Sequence, residues 1–156
     1  MLTLMLATTL PACASLQSQV RPGAPTSPGL PPPPETIAAV VAAPPPSAAA
    51  RTAAEFDTTT AAQKAAATSA PAGGRLLGET VASLGDPGQP GLWIRSPLVS
   101  APGSGRLVYP ATGRSAVVQL IPLDAPGGAG SQVSLAALRL LDAPLTALPV
   151  LQVYAD

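Results

Sequence analysis

Apolar and polar positions divide the chain into two halves of different character. From Ala14 to Ala72 only seven of 59 residues are Val, Ile, Leu, Met, Phe, Trp or Tyr, whereas Gly73 to Asp156 carries 28 in 84. Only the second stretch has enough large side chains to bury a core. Within it, strand-forming runs recur between turn residues, the spacing of a small all-β fold. The pattern predicts strands over Leu76–Leu84, Leu92–Arg95, Gly105–Tyr109, Ser115–Ile121 and Val150–Tyr154, with Leu98-Val99 a short apolar step between turns. Pro110 to Gly113 reads as a hairpin connection in which Gly113 takes a positive φ. Pro122 to Gly130 reads as a loop. Ser134 then opens a helix whose Leu135, Leu138 and Leu141 share one face, and Pro144 follows its end.

The first half reads as a tether. Pro31 to Pro34 and Pro44 to Pro46 favour extended polyproline segments with solvated backbone. Residues 13–72 are therefore expected to form a disordered linker. One short helix is expected within it, over 61–67, because Thr60 and Gln63 fit a capping box, as do Thr52 and Glu55. Phe56 is a candidate to dock on the folded half. No run of about 18 or more large apolar residues suggests a transmembrane helix.

Residues 1–12 are apolar and end in small residues before the single cysteine, Cys13, as an export signal does before its cleavage site. Leu10-Pro-Ala-Cys13 resembles the lipobox of bacterial lipoproteins, which implies lipid on the Cys13 thiol, a membrane as partner and an envelope address facing the periplasm, with the outer membrane preferred. Cys13 spent in this way leaves no thiol for a disulfide, a metal or a nucleophile.

Composition closes further routes. The chain has no histidine, and its eight Lys and Arg balance eight Asp and Glu. Ser-His-Asp and Cys-His arrangements are impossible without histidine, and the only lysine, Lys64, lies in the tether. Zinc and iron are disfavoured because only carboxylates remain as ligands and those of the folded half, Glu79, Asp86, Asp124, Asp142 and Asp156, are scattered. No metal or other cofactor is expected. Neutrality argues against nucleic acid, which calls for a basic footprint. Arg95, Arg106, Arg114 and Arg139 remain candidates for an anionic-ligand surface, weighed against plain solvated strand faces, and Trp93 is read as core in preference to a sugar platform.

Three segments, Pro102-Gly-Ser-Gly-Arg-Leu-Val-Tyr109, Thr112-Gly-Arg-Ser-Ala-Val-Val-Gln-Leu-Ile121 and Val133-Ser-Leu-Ala-Ala-Leu138, resemble the rare lipoprotein A group. Its pattern runs F-G-T-x-V-x-V, N-G-R-S-V-x-V-x-I, then D-L-S-x-A-A. The resemblance implies a small six-stranded double-psi-like β-barrel over 73–156, mainly β with one short helix, and sometimes peptidoglycan cleavage. This chain departs from the pattern at the chemistry. Where the family has N-D-R-G-P, Leu123 stands at the acid's position with Asp124 one place on, and Ser134 stands where the family has Asp. Glycosidic cleavage needs a positioned general acid. The expectation is therefore a non-catalytic envelope lipoprotein binding peptidoglycan or an envelope protein, with Arg106, Arg114, Asp124 and Ser134 as candidate ligand-binding residues. The alternative is an enzyme, either a residual lytic transglycosylase or a sugar-acid lyase such as the short bacterial proteins that carry the galactarate dehydratase name.

Overall fold

A computed structural model describes residues 35–69 and 73–156. The expected signal segment and Cys13 lie outside the described residues. Six strands, β1 (Arg75–Leu84), β2 (Trp93–Ser96), β3 (Gly103–Tyr109), β4 (Arg114–Pro122), β5 (Ser131–Val133) and β6 (Val150–Ala155), close into a barrel in the order β1-β5-β2-β4-β3-β6. Pairing is mixed: β1 with β5 and β2 with β4 run parallel, and the other neighbours are antiparallel. This is the expected mainly β, closed six-stranded barrel.

Side chains alternate in and out along each strand. Ala82, Ile94, Leu107, Ala116, Val118, Leu120, Val133, Leu151 and Val153 are buried and belong to one apolar core. Mostly medium-sized side chains fill this interior, as suits a barrel of six strands. Its buried hydroxyls are paired, Thr80 Oγ1 lying 2.7 Å from Ser131 Oγ.

The β3–β4 hairpin turns where expected, with Gly113 at φ 67° and its N–H donating to Tyr109 O over 2.9 Å. The described residues hold four helices, numbered in order, α1 (Glu35–Val41), α2 (Ala53–Phe56), α3 (Ala61–Ser69) and α4 (Leu135–Leu140). The last of these is the helix foreseen after Ser134. Leu135, Leu138 and Leu141 are all buried on its core side. Thr112 Oγ1 donates to Leu141 O over 2.8 Å and ties the hairpin to the end of α4.

One expectation needs correction. Residues 35–69, read from composition as a disordered linker with one short helix over 61–67, hold three of these helices; α3 is the one foreseen, and it packs on β4 with Ala67 inside the common core. Small side chains explain why hydropathy missed this: an alanine-rich helix can approach a barrel closely without large apolar residues. Polar ties complete the docking. Leu92 N–H donates to Val41 O over 2.8 Å, Gly91 at φ 90° leaves room for that carbonyl where a Cβ would collide with it, and Gln63 Nε2 donates to Ala39 O over 2.9 Å and also to Ala42 O.

Both capping boxes form. At α2 the Arg51 N–H, the Thr52 N–H and the Thr52 hydroxyl all donate to the Glu55 carboxylate, and these bonds hold its pKa below the ordinary carboxylate value. Asp57 follows with its side chain fully buried, and its Oδ2 lies 2.7 Å from Lys64 Nζ and 2.9 Å from Arg139 Nη1. Arg139 belongs to α4, so this carboxylate fastens the helical segment to the barrel.

Asp57→Ala strips two cations of their shared partner. Removing one member of a buried ion pair costs ~3–5 kcal/mol; here the cations are 32% and 39% exposed and recover hydration, so the expected loss is smaller, about 1–3 kcal/mol. Trypsin should then cut at Arg51 and Lys64 before it attacks the barrel. An unchanged melt together with an unchanged tryptic pattern would refute the fastening role of Asp57.

Candidate functional site

The four candidate ligand-binding residues occupy separate places. Ser134 is fully buried and is the N-cap of α4; its Oγ accepts from Ala137 N–H at 3.3 Å and from Trp93 N–H at 3.2 Å. Its hydroxyl is spent on joining α4 to β2. Arg106 lies on the outer face of β3, its guanidinium 4.4 Å from the centre of the Tyr154 ring and its Nη2 donating to Gly73 O over 3.1 Å.

Arg114 stands exposed at the hairpin end of β4, with Nη2 4.0 Å from Asp142 Oδ2. Asp124 is exposed beyond the opposite end of that strand. A nine-residue strand spans roughly 30 Å, so Arg114 and Asp124 cannot share a small ligand. The other two arginines are committed elsewhere, Arg95 lying over the Trp93 ring at 5.2 Å and Arg139 pairing with Asp57. Arg95 on β2, Arg106 on β3, Arg114 on β4 and Arg139 on α4 thus each have a different partner, and nothing gathers them into one anionic-ligand surface.

The carboxylates are equally dispersed. Glu79 Oε1 accepts from Gln152 Nε2 over 3.1 Å, and Asp156 Oδ2 accepts from Ser104 Oγ over 3.1 Å. Among the described residues no three of His, Cys, Asp and Glu come together as a metal site.

A different constellation forms on the outer face of β2, β4 and β3. Strand register places Trp93, Gln119 and Ser104 side by side across the three strands. Ala38, Val41, Ala42 and Ala43, with Gln89 and Pro90, join this row in lining an open cleft of about 410 Å³. That volume lies in the range of small-ligand sites.

Trp93 is buried, as expected, but it lies outside the barrel: at 2% exposure it is covered by the 85–90 turn, and its Nε1 donates to Gln89 O over 3.3 Å. A Cβ at Gly85 would strike its six-membered ring, which fixes glycine there.

The rest of the lining is uncharged. Ala38, Val41, Ala43 and Pro90 give an apolar wall, and the Gln89 and Gln119 carboxamides give donors and acceptors. Neither carboxamide makes a side-chain hydrogen bond to a described residue, and Gln119 is exposed. Sequence reading missed both glutamines. The available signal was Gln119 itself, a polar residue at an outward position of an otherwise apolar strand; its neighbours across the sheet and the strap over it come from distant parts of the chain.

Comparison with known proteins finds no family model, no curated protein and no solved structure that matches this chain. No helix among the described residues is long and apolar enough to cross a membrane.

Proposed function

We propose that this protein is a lipid-anchored component of the bacterial cell envelope, whose barrel is a non-catalytic relative of the rare lipoprotein A group and binds peptidoglycan glycan. The observation that carries the reading is the uncharged cleft beside Trp93, where two carboxamides face an apolar wall. N-acetyl sugars offer matching chemistry, with hydroxyl and amide groups for the glutamines and methyl groups for the wall. The closed barrel and the Gly113-Arg-Ser115 hairpin support the family relationship, and the separation of Asp124 from the other polar candidates supports binding in place of cleavage. Leu10 to Cys13 supports the anchor, since multiple acyl chains at about 0.8 kcal/mol per buried methylene hold a protein on a bilayer.

Sedimentation with purified sacculi tests the ligand. The full chain should be enriched in the pellet over an inert control, and Gln119→Ala should lower the apparent affinity about fivefold, the equivalent of one hydrogen bond of about 1 kcal/mol. Its melting temperature should hold, because the side chain is exposed. No enrichment of the unmodified chain removes the glycan reading. The anchor is tested separately: Cys13→Ala should move the protein from the membrane to the soluble fraction, and retention on the membrane removes the lipobox reading.

A further inference from the structure

The lining of the Trp93 cleft comes from two separable parts of the chain. Trp93, Ser104 and Gln119 belong to the barrel, whereas Ala38 and Val41 to Ala43 belong to the helical segment. The barrel closes without any strand from residues 35–69, so the segment lies against a ring that is already complete. Its grip is slight: α2 buries no residue and α3 buries only Ala67. With seven and nine residues, α1 and α3 are too short to stand alone in water, where helices under about 12 residues are marginal. Docking and helix formation are therefore one cooperative event. Gln63 joins its parts, since this carboxamide on α3 donates to Ala39 O and Ala42 O in the stretch that lines the cleft.

We propose that occupancy of this cleft controls the docking of residues 35–69: a bound ligand clamps the segment to the barrel, and release of the segment dismantles the site. The proposal rests on the glycan reading of the cleft and adds its regulation. Its physical ground is differential affinity, because a ligand shifts an equilibrium only by the difference in its affinity for the two states. Docked, the segment supplies the apolar wall of the cleft; undocked, that wall is gone and only the residues of the barrel remain. A ligand that touches both linings therefore favours the docked state, and the coupling is reciprocal, so that whatever loosens the segment weakens the ligand. The two parts are joined most closely next to Trp93. There the buried Leu92 donates its N–H to Val41 O, the same carbonyl with which a Cβ at Gly91 would collide. Residues 35–69 also lie between Cys13 and the barrel along the chain. Under the anchor reading, undocking lengthens the connection to the bilayer, and bound glycan holds it at its shorter length.

Amide hydrogen exchange of the full chain, free and bound to purified sacculi, tests the clamp. With sacculi at about ten times the apparent Kd, the docking constant rises about tenfold. Backbone amides within 65–69 of α3, a helix that does not line the cleft, should then exchange about tenfold more slowly. Gly91→Ala, which alters no side chain of the lining, should bind sacculi about tenfold more weakly while the barrel still melts cooperatively. Slowed exchange confined to 38–43, with none in α3, overturns the clamp and leaves glycan binding standing. A folded Gly91→Ala variant that binds as tightly as the parent does the same. Should that variant fail to fold, exchange at 65–69 of the unmodified chain decides alone. Failure of the unmodified chain to sediment with sacculi removes the glycan reading and the clamp with it.

Discussion

Leu138→Asp leaves the barrel half of the chain unfolded. Leu138 is 1% exposed and sits in the apolar core between α4 and the barrel, a cluster of uncharged side chains. Losing a buried leucine costs about 2–5 kcal/mol. An unpaired carboxylate placed there adds a desolvation cost of several kcal/mol. A small domain has roughly 5–15 kcal/mol in all, and a core of medium-sized residues puts this one toward the lower end. Circular dichroism should record loss of the cooperative melt, while Leu138→Met, which conserves volume, should cost less than about 1.5 kcal/mol. A cooperative transition for the Asp variant at the original temperature would place Leu138 outside the core.

The second large effect is expected at Gly105, for a reason of space. Gly105 is buried in β3, opposite Val118 of β4 and Ala155 of β6. A Cβ here would collide with the Tyr154 carbonyl and lie 2.6 Å from Leu120 Cδ1. The side chain could move, but the carbonyl is fixed backbone of the strand that closes the barrel. Gly105→Val must therefore spread β3 from β6. Overpacking costs ~1–3 kcal/mol, more where backbone has to give. About 3 kcal/mol corresponds to a fall in melting temperature on the order of 15 °C for a domain of this size. Gly103→Val, two residues away on the same strand with nothing near its would-be Cβ, is the control and should melt close to the parent. Equal melts for the two variants would refute the close approach at Gly105.

Much of the barrel is legible in the chain because its strands are amphipathic and bounded by turn residues. The β3–β4 hairpin is the clearest case: Gly113 supplies the φ of 67° that the turn requires, and Ala116, Val118 and Leu120 mark the inward face. Ser134 and the leucines after it likewise specify a capped helix and its buried side. β5 is different. Ser131-Gln-Val133 is too short and too polar to signal a strand, and it becomes one only because the edges of β1 and β2 are both there to bond it.

The docked helical segment was hidden for a related reason. The capping box of Thr60 and Gln63 marks the helix Ala61–Ser69, but alanine carries little hydropathy, so its docking is not legible until Ala67 meets β4 and Asp57 meets Arg139. The candidate site was the least legible part. Arg106, Arg114, Asp124 and Ser134 follow one another in sequence at intervals that suggest a shared motif, but strand length and capping separate them. Gln89 and Gln119 are brought together by register and a turn.

By itself the sequence determined which residues prefer strands, where the chain turns, which helix face is apolar and that histidine and thiol chemistry is closed to the folded half. Those are local properties, set by backbone preference, side-chain period and the inventory of functional groups. The tertiary structure alone decided the closure through β5, the placing of residues 35–69 on the barrel and the uncharged cleft beside Trp93. Each depends on pairing between segments far apart in the chain, where the outcome is fixed by which backbone edges and cavities remain once the strands have closed.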